Sequence, residues 1–297
     1  MTRTDERPAD RPSSGTAAVG GRRRLTFWKH EGAGNDFLVA LDPAGKLDLG
    51  PDHARALCDR HRGVGADGLI VVGRDGVGAD LTMVLWNADG SQAEMSGNGM
   101  RCLAQAAVAA GLVTPPRFTV ATGAGVRAVE LTSDDGQNAV ASVDMGPVRL
   151  GTERSEGGPG RRSRAVDVGN PHLVVLSDGD PAGADLAGMA AGVAARCPGG
   201  VNVELVAPGP GPGQLVMRVW ERGVGETLAC GTGSCAAAAA ARSWGMVGDR
   251  VLVANPGGTL DVRLGAGDGA PAVLAGPVRR VAEVLVDAAA LEAVARR

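Results

Sequence analysis

The segment Leu81-Thr82-Met83-Val84-Leu85-Trp86-Asn87 returns 134 residues later as Leu215-Val216-Met217-Arg218-Val219-Trp220-Glu221. At the same offset, Ser96-Gly97-Asn98-Gly99 returns as Cys230-Gly231-Thr232-Gly233, and Gly111-Leu112-Val113 as Gly245-Met246-Val247. Upstream, Gly34-Asn35-Asp36-Phe37-Leu38-Val39 matches Gly169-Asn170-Pro171-His172-Leu173-Val174, and residues 65–71 match 200–206, both at an offset of 135. A one-residue loop insertion produces such a shift. Five blocks in one order indicate a duplication, and the period is too long for a solenoid, so the chain is expected to form two related domains. A duplicated unit can set equivalent groups face to face across one cleft. Here one member of the pair is a serine, Ser96, and the other a cysteine, Cys230.

The chain has 297 residues, 44% of them hydrophobic, enough for one or two sizeable cores. Its net charge of −3 gives no electrostatic reason to bind nucleic acid, and with no tyrosine and three phenylalanines it has no stacking platform for bases. The longest apolar stretch of helical character, residues 235–241, is far short of the roughly 20 residues a bilayer requires, so no membrane association is expected. Residues 1–24 are polar, end in Arg22-Arg23-Arg24 and lack the apolar core of a secretion signal; they read as a disordered tail. Five cysteines, an odd number in a long chain, imply reduced thiols and a cytoplasmic location. No C-x-x-C occurs and no histidine stands at zinc-ligand spacing, so no metal is expected. Cys58, Cys102, Cys197 and Cys235 read as small buried apolar residues.

Residues 25–41, 69–73, 81–87 and 215–221 read as strands, and 51–60 as a helix. Each copy of the repeat continues through a glycine-rich turn into an alanine-rich helix, 101–110 and 234–244. Residues 123–131 and 139–145 suggest a hairpin, and 282–297 a strand followed by a short helix. The division that follows is a tail (1–24), a first domain (25–148), a glycine- and arginine-rich linker (149–164) and a second domain (165–297) whose last strand returns to the first.

Strand, turn, nucleophile, Gly-x-Gly, helix is the order in both halves. It puts Ser96 and Cys230 at helix N-termini, where free N–H groups and the helix dipole favour an anion. A thiol there is expected to ionise more easily. A carboxylate held between two such termini would have its α-carbon flanked by Ser96 and Cys230, one removing a proton and the other delivering one. That is the geometry of a cofactor-independent racemase or epimerase. Gly-Asn-Gly and Gly-Thr-Gly alone are weak signals; neither belongs to a phosphate loop, and the spacing fits no dinucleotide fingerprint. The duplicated context is what raises Cys230 above a core cysteine.

The segment Trp220-Glu221-Arg222-Gly223-Val224-Gly225-Glu226-Thr227-Leu228-Ala229-Cys230-Gly231-Thr232-Gly233-Ser234-Cys235-Ala236 resembles, without gaps, the second catalytic signature of the diaminopimelate epimerase family, which belongs to the PLP-independent amino-acid racemases. The run from Asn87 through Glu94-Met95-Ser96-Gly97-Asn98-Gly99 to Cys102 is similar to the first signature. Gly34-Asn35-Asp36-Phe37, Arg62-Gly63-Val64-Gly65-Ala66-Asp67-Gly68 and Gly169-Asn170-Pro171-His172 complete the resemblance, which runs from about Phe27 onward. It implies an α/β (α+β) fold of two pseudo-symmetric domains, each a β-barrel-like sheet around a central helix, with the site between them. It implies no cofactor, a small-molecule amino-acid substrate and a homodimer. By matching position, Cys230 is one acid/base thiol, with Ser96 in the place of the other. Gly97-Asn98 and Gly231-Thr232 supply N–H groups to the α-carboxylate, Arg222 grips the distal carboxylate, and Asn35, Asn87, Asn170, Asn202 and Glu221 bind the remaining polar groups. His172 and Glu221 tune the acid/base pair.

Two departures qualify the match. Ser96 replaces the family's first thiol, and Glu31 stands where the family has a histidine, with His30 adjacent. A hydroxyl is a poorer acid and base than a thiol and needs a neighbour to activate it. Three readings therefore stand: an epimerase of LL- and meso-diaminopimelate, or a racemase of another polar amino acid such as O-ureidoserine; a Ser/Cys lyase that dehydrates hydroxyproline-type substrates; and a binding relic. A pyridoxal enzyme would need Lys29 or Lys46, the only lysines, and Lys29 reads as structural.

Overall fold

The computed structural model describes residues 17–19, 22–74, 78–114, 116–154, 161–197 and 199–295. In chain order the elements are β1 (Ala17–Val19), β2 (Arg22–Gly32), β3 (Asn35–Leu41), α1 (Pro51–Cys58), β4 (Gly68–Gly73), β5 (Leu81–Asn87), β6 (Gln92–Ala93), α2 (Gly97–Ala109), β7 (Arg117–Thr122), β8 (Gly125–Asp134) and β9 (Asn138–Pro147). They continue with β10 (Arg149–Arg154), β11 (Ser163–Asp167), β12 (Pro171–Leu176), α3 (Leu186–Ala194), β13 (Asn202–Pro208), β14 (Gln214–Glu221), β15 (Gly225–Thr227), α4 (Gly231–Ser243), β16 (Arg250–Asn255), β17 (Gly258–Leu264), β18 (Pro271–Asp287) and α5 (Ala288–Ala295).

Eight strands, β2-β3-β4-β5-β7-β8-β9-β18, pair in turn, and β18 closes the ring on β2. The ring encloses α2, which packs on β2, β3, β4, β8, β9 and β18. The second half repeats the plan: β10-β11-β12-β13-β14-β16-β17-β18 pair in turn, and the strands from β11 to β14 and β16 to β18 pack on α4. Strand alternation explains the interior. Leu81, Met83 and Leu85 on β5 and their counterparts Leu215, Met217 and Val219 on β14 all point inward and are buried. Burying each such side chain is worth about 2 kcal/mol. The central helices are narrow where the barrel demands it: Ala236 through Ala241 of α4 are all buried, and alanine lets strands approach on every side.

Strands β4 and β13 are covered on both faces. Leu69 packs outward with α1 while Ile70 faces α2; Val203 and Leu205 pack outward with α3 while Val206 faces α4. The 17-residue β18 pairs β17 and β9 with its first half and β2 with its second, so one strand belongs to both barrels.

Several details differ from the sequence expectations. Residues 25–41 make a hairpin rather than one strand, turning at Ala33 and Gly34, whose φ values are +55° and +82°. Ala17–Val19 and Arg22–Arg24, expected in the tail, pair with each other as strands; residues 1–16 lie outside the described residues. In the segment expected as a linker, Arg149–Arg154 is strand and pairs with the strand that begins at Ser163; residues 155–160 lie outside the described residues. Cys58, Cys102 and Cys235 are buried, but Cys197 is partly exposed.

The repeat also has a different register from the one read in the sequence. Phe37 pairs with Gly68 in parallel, and its counterpart His172 pairs with Asn202. The structural partners are therefore Gly68 with Asn202 and Ile70 with Glu204, an offset of 134. The one-residue shift falls between β3 and β4, in the connection that holds α1, and not after β4.

Candidate active site

Helices α2 and α4 begin earlier than expected, at Gly97 and Gly231, and take the Gly-x-Gly of each repeat into their first turn. The cause is the cap. Ser96 has extended backbone, and its Oγ accepts the Gly99 N–H at 3.1 Å; Cys230 does the same with Sγ and the Gly233 N–H at 3.4 Å. Satisfying that donor starts the helix one residue after the cap. The N–H groups of the first turn keep no acceptor inside the helix. The two helices meet end to end: a Cβ placed on Gly231 would stand 3.4 Å from Gly97 Cα, and on either glycine it would stand 2.9 Å from Leu274 Cδ2. Only glycine permits that approach.

Asn98, in the first turn of α2, spans the two halves. Its Nδ2 donates to Asn35 Oδ1 at 3.3 Å and to the Ala229 carbonyl, next to Cys230, at 3.1 Å. Asn35 in turn donates to Asp67 Oδ2 at 2.6 Å. Behind Asn98 lies Arg101, fully buried, donating to Asn98 Oδ1, Gly97 O and Pro277 O. Among the described residues no carboxylate pairs with it. Burial pushes its pKa down to about 10, with Cys102 and Glu31 opposing.

A second set surrounds Cys230. The thiol donates to Glu221 Oε2 at 3.5 Å and lies 3.4 Å from Thr232 Oγ1; Thr227 Oγ1 donates to the other Glu221 oxygen at 2.5 Å. His172 contacts Glu204 Oε1 through Nδ1 at 2.7 Å and Asn170 Oδ1 through Nε2 at 2.9 Å, and both His172 and Glu204 are buried. A Cβ on Gly233 would lie 2.7 Å from Glu204 Oε1 and 3.3 Å from Cys230 Sγ, so this carboxylate sits over the first turn of α4. Asn202 Oδ1 accepts the Arg222 backbone N–H at 2.8 Å. The Arg222 guanidinium is exposed, folds over Gly200 and donates to the Gly199 carbonyl at 2.8 Å. Asn87 bonds locally to Ser91 Oγ at 2.9 Å.

The expected easy ionisation of Cys230 is reversed. Burial pushes the thiol well above its ordinary value, and the Glu221 and Glu204 carboxylates push the same way. The Thr232 hydroxyl and Gly233 N–H pull down and lose. A helix N-terminus lowers a thiol pKa only while desolvation stays small, and Cys230 is 5% exposed. Burial likewise raises the Glu221 carboxyl, against the opposing bonds from Thr227 and Cys230.

The structure thus gathers Asn35, Gly97, Asn98, Asn170, His172, Glu221, Cys230, Gly231 and Thr232 about the helix ends, with Asn202, at the start of β13, bonded to Arg222 just past the end of β14. Sequence reasoning missed Glu204 and Arg101. Glu204 had a signal: it is the one charge in the apolar run Val203 to Val206. Arg101 had none. Lys29 donates to Gly65 O at 2.6 Å and pairs with Asp36 at 2.9 Å, which gives it a structural place.

The profile of the diaminopimelate epimerase family matches residues 27–151 and 164–281. A diaminopimelate epimerase of Desulforudis audaxviator is 41% identical over 276 residues, covering 86% of this chain and 97% of its own. One of Thermobifida fusca is 42% identical over 275 residues, covering 87% and 97%. Among solved structures, a hydroxyproline epimerase of Agrobacterium vitis superposes with a TM-score of 0.69 at 16% identity, covering 89% of this chain and 93% of that one. A phenazine biosynthesis protein of the PhzF family from Bacillus anthracis gives 0.68 at 15%, covering 89% and 99%. These two share the fold.

Proposed function

The chain belongs to the diaminopimelate epimerase family, and from that membership we propose how its site inverts the α-carbon of LL- and meso-diaminopimelate without a cofactor. The observation that carries the reading is the pair of capped helix ends in contact, with Ser96 on one and Cys230 on the other. The α-carboxylate docks on the first-turn N–H groups of Gly97, Asn98, Gly231 and Thr232. Those donors strengthen as charge moves onto the carboxylate when the Cα proton leaves. Arg222 turns from Gly199 to the distal carboxylate, for which a guanidinium fork is suited. Asn35, Asn87, Asn170, Asn202 and Glu221 hold the amino groups and the remaining oxygens. Cys230 exchanges its proton with Glu221, and His172 sets the local charge. A small amino-acid substrate, a homodimer and a cytoplasmic location complete the reading. Five free cysteines suit a reducing compartment, and no described helix is long and apolar enough to cross a membrane.

Proton NMR in D₂O, first with LL- and then with meso-diaminopimelate, tests the proposal. Loss of the Cα proton signal with growth of the other isomer is the expected result. Absence of exchange with either isomer sinks it and turns attention to dehydration of hydroxylated amino acids.

A further inference from the structure

The duplication lets each residue around Cys230 be compared with its counterpart around Ser96. Where the second half has His172, the first has Phe37; where it has Glu204, the first has Ile70; where it has Glu221, the first has Asn87. Local geometry agrees. A Cβ on Gly233 would meet Glu204 Oε1, whereas a Cβ on Gly99 would meet Ile70 Cδ1 at 3.1 Å and Met83 Cε at 3.3 Å. All three titratable positions of one half are thus untitratable in the other. The Ser96 Oγ accepts from Gly99, and among the described residues its hydroxyl proton has no acceptor. A serine without a base beside it stays a neutral hydroxyl. Cys230 has Glu221 within hydrogen-bond reach to take its proton and return it.

We propose that rapid, reversible removal of the Cα proton takes place on the Cys230 face alone, loss of the proton toward the Ser96 face being the slow reverse of the hydroxyl's donation, so that one of the two isomers exchanges its Cα hydrogen with solvent many times for each inversion. The proposal rests on the epimerase reading and departs from a site with two matched bases. In the step, the Cα–H bond breaks, the Cys230 thiolate gains that proton as S–H, and the electron pair stays on substrate, spread onto the carboxylate. Glu221, once it has passed the thiol's original proton to solvent, takes the S–H proton and passes it on in turn, and a solvent deuteron returns by the same route to the same face. Inversion instead needs a proton from the Ser96 face, given by the hydroxyl, which then recovers one from water. A thiol that burial holds protonated yields a strongly basic thiolate once Glu221 takes its proton, which suits removal of a weakly acidic C–H. The equilibrium constant fixes the ratio of the two inversion efficiencies, so the asymmetry appears in exchange against inversion and not in the direction of inversion.

Each isomer is incubated separately in D₂O, and recovered substrate and product are analysed at early times for Cα deuterium. One isomer is expected to be recovered deuterated at least about tenfold faster than its product forms, and the other unlabelled. Deuterium confined to product from both isomers overturns the proposal while leaving the epimerase reading intact; no deuterium anywhere overturns both. The isosteric Ser96→Cys variant supplies a second reading. A thiol can hold the proton on that face, so the ratio of inversion to exchange is expected to rise at least about tenfold. An unchanged ratio in folded Ser96→Cys protein also overturns the proposal.

Discussion

The imidazole of His30 is fully buried in the first barrel, stacked on Trp28 with ring centroids 6.3 Å apart. Desolvation dominates there and pushes its pKa from 6.5 down to about 4, with the Arg280 charge helping. Because the folded value lies below the unfolded one, the stabilisation is complete above pH 6.5 and is lost as pH falls toward 4. Between pH 7 and 4.5 this one group removes roughly 2–3 kcal/mol. Urea unfolding of His30→Leu at the two pH values should show a smaller acid loss than the parent by that amount; equal losses would refute the assignment. Adjacent Glu31 faces the other way, bonded to the Gly34 N–H and Arg279. One step along a strand reverses the face, so a histidine beside the family's position does not replace it.

Among the elements, α2 and α4 place the chemistry, and their junction tolerates little. Alanine at Gly231 would press against Leu274, whose Cδ2 would lie 2.9 Å from the new Cβ, with the Gly97 backbone in van der Waals contact behind it. Gly231→Ala should cost about 1–3 kcal/mol and roughly 100-fold in Cα exchange, since a displacement near 1 Å at reacting groups has that effect. Gly97→Ala meets the side-chain ends of Leu274 at 2.9 Å and Met145 at 3.1 Å, so a loss of similar size is expected. Unchanged exchange in both variants, measured by the same NMR rates, would show that the helix ends are not what limits the site. The repeat made both helices legible, but glycine read as turn hid their first turns. The side-chain caps decided the boundary, and only the folded chain shows that the caps are made.

Across the whole molecule, β18 joins the halves, with its first part in both rings and its second closing the first ring on β2. Neither half keeps a complete sheet without it, so the two should unfold together. Trp28 and Trp86 report on the first half, Trp220 and Trp244 on the second. With either pair changed to phenylalanine, fluorescence transitions in urea should coincide in midpoint within error. Separate midpoints would mean that the shared strand does not couple the barrels.

The sequence by itself determined the duplication, the place of Ser96 and Cys230 at the starts of paired helices and the family, because these are matters of residue identity and spacing. The tertiary structure decided the rest. It made Glu204 the counterpart of Ile70, through a register set by strand pairing. It placed the buried guanidinium of Arg101 behind Asn98, through the close approach of β18. It also reversed the expected ionisation of Cys230, because desolvation depends on what surrounds an atom in space, and spacing along the chain carries no measure of that.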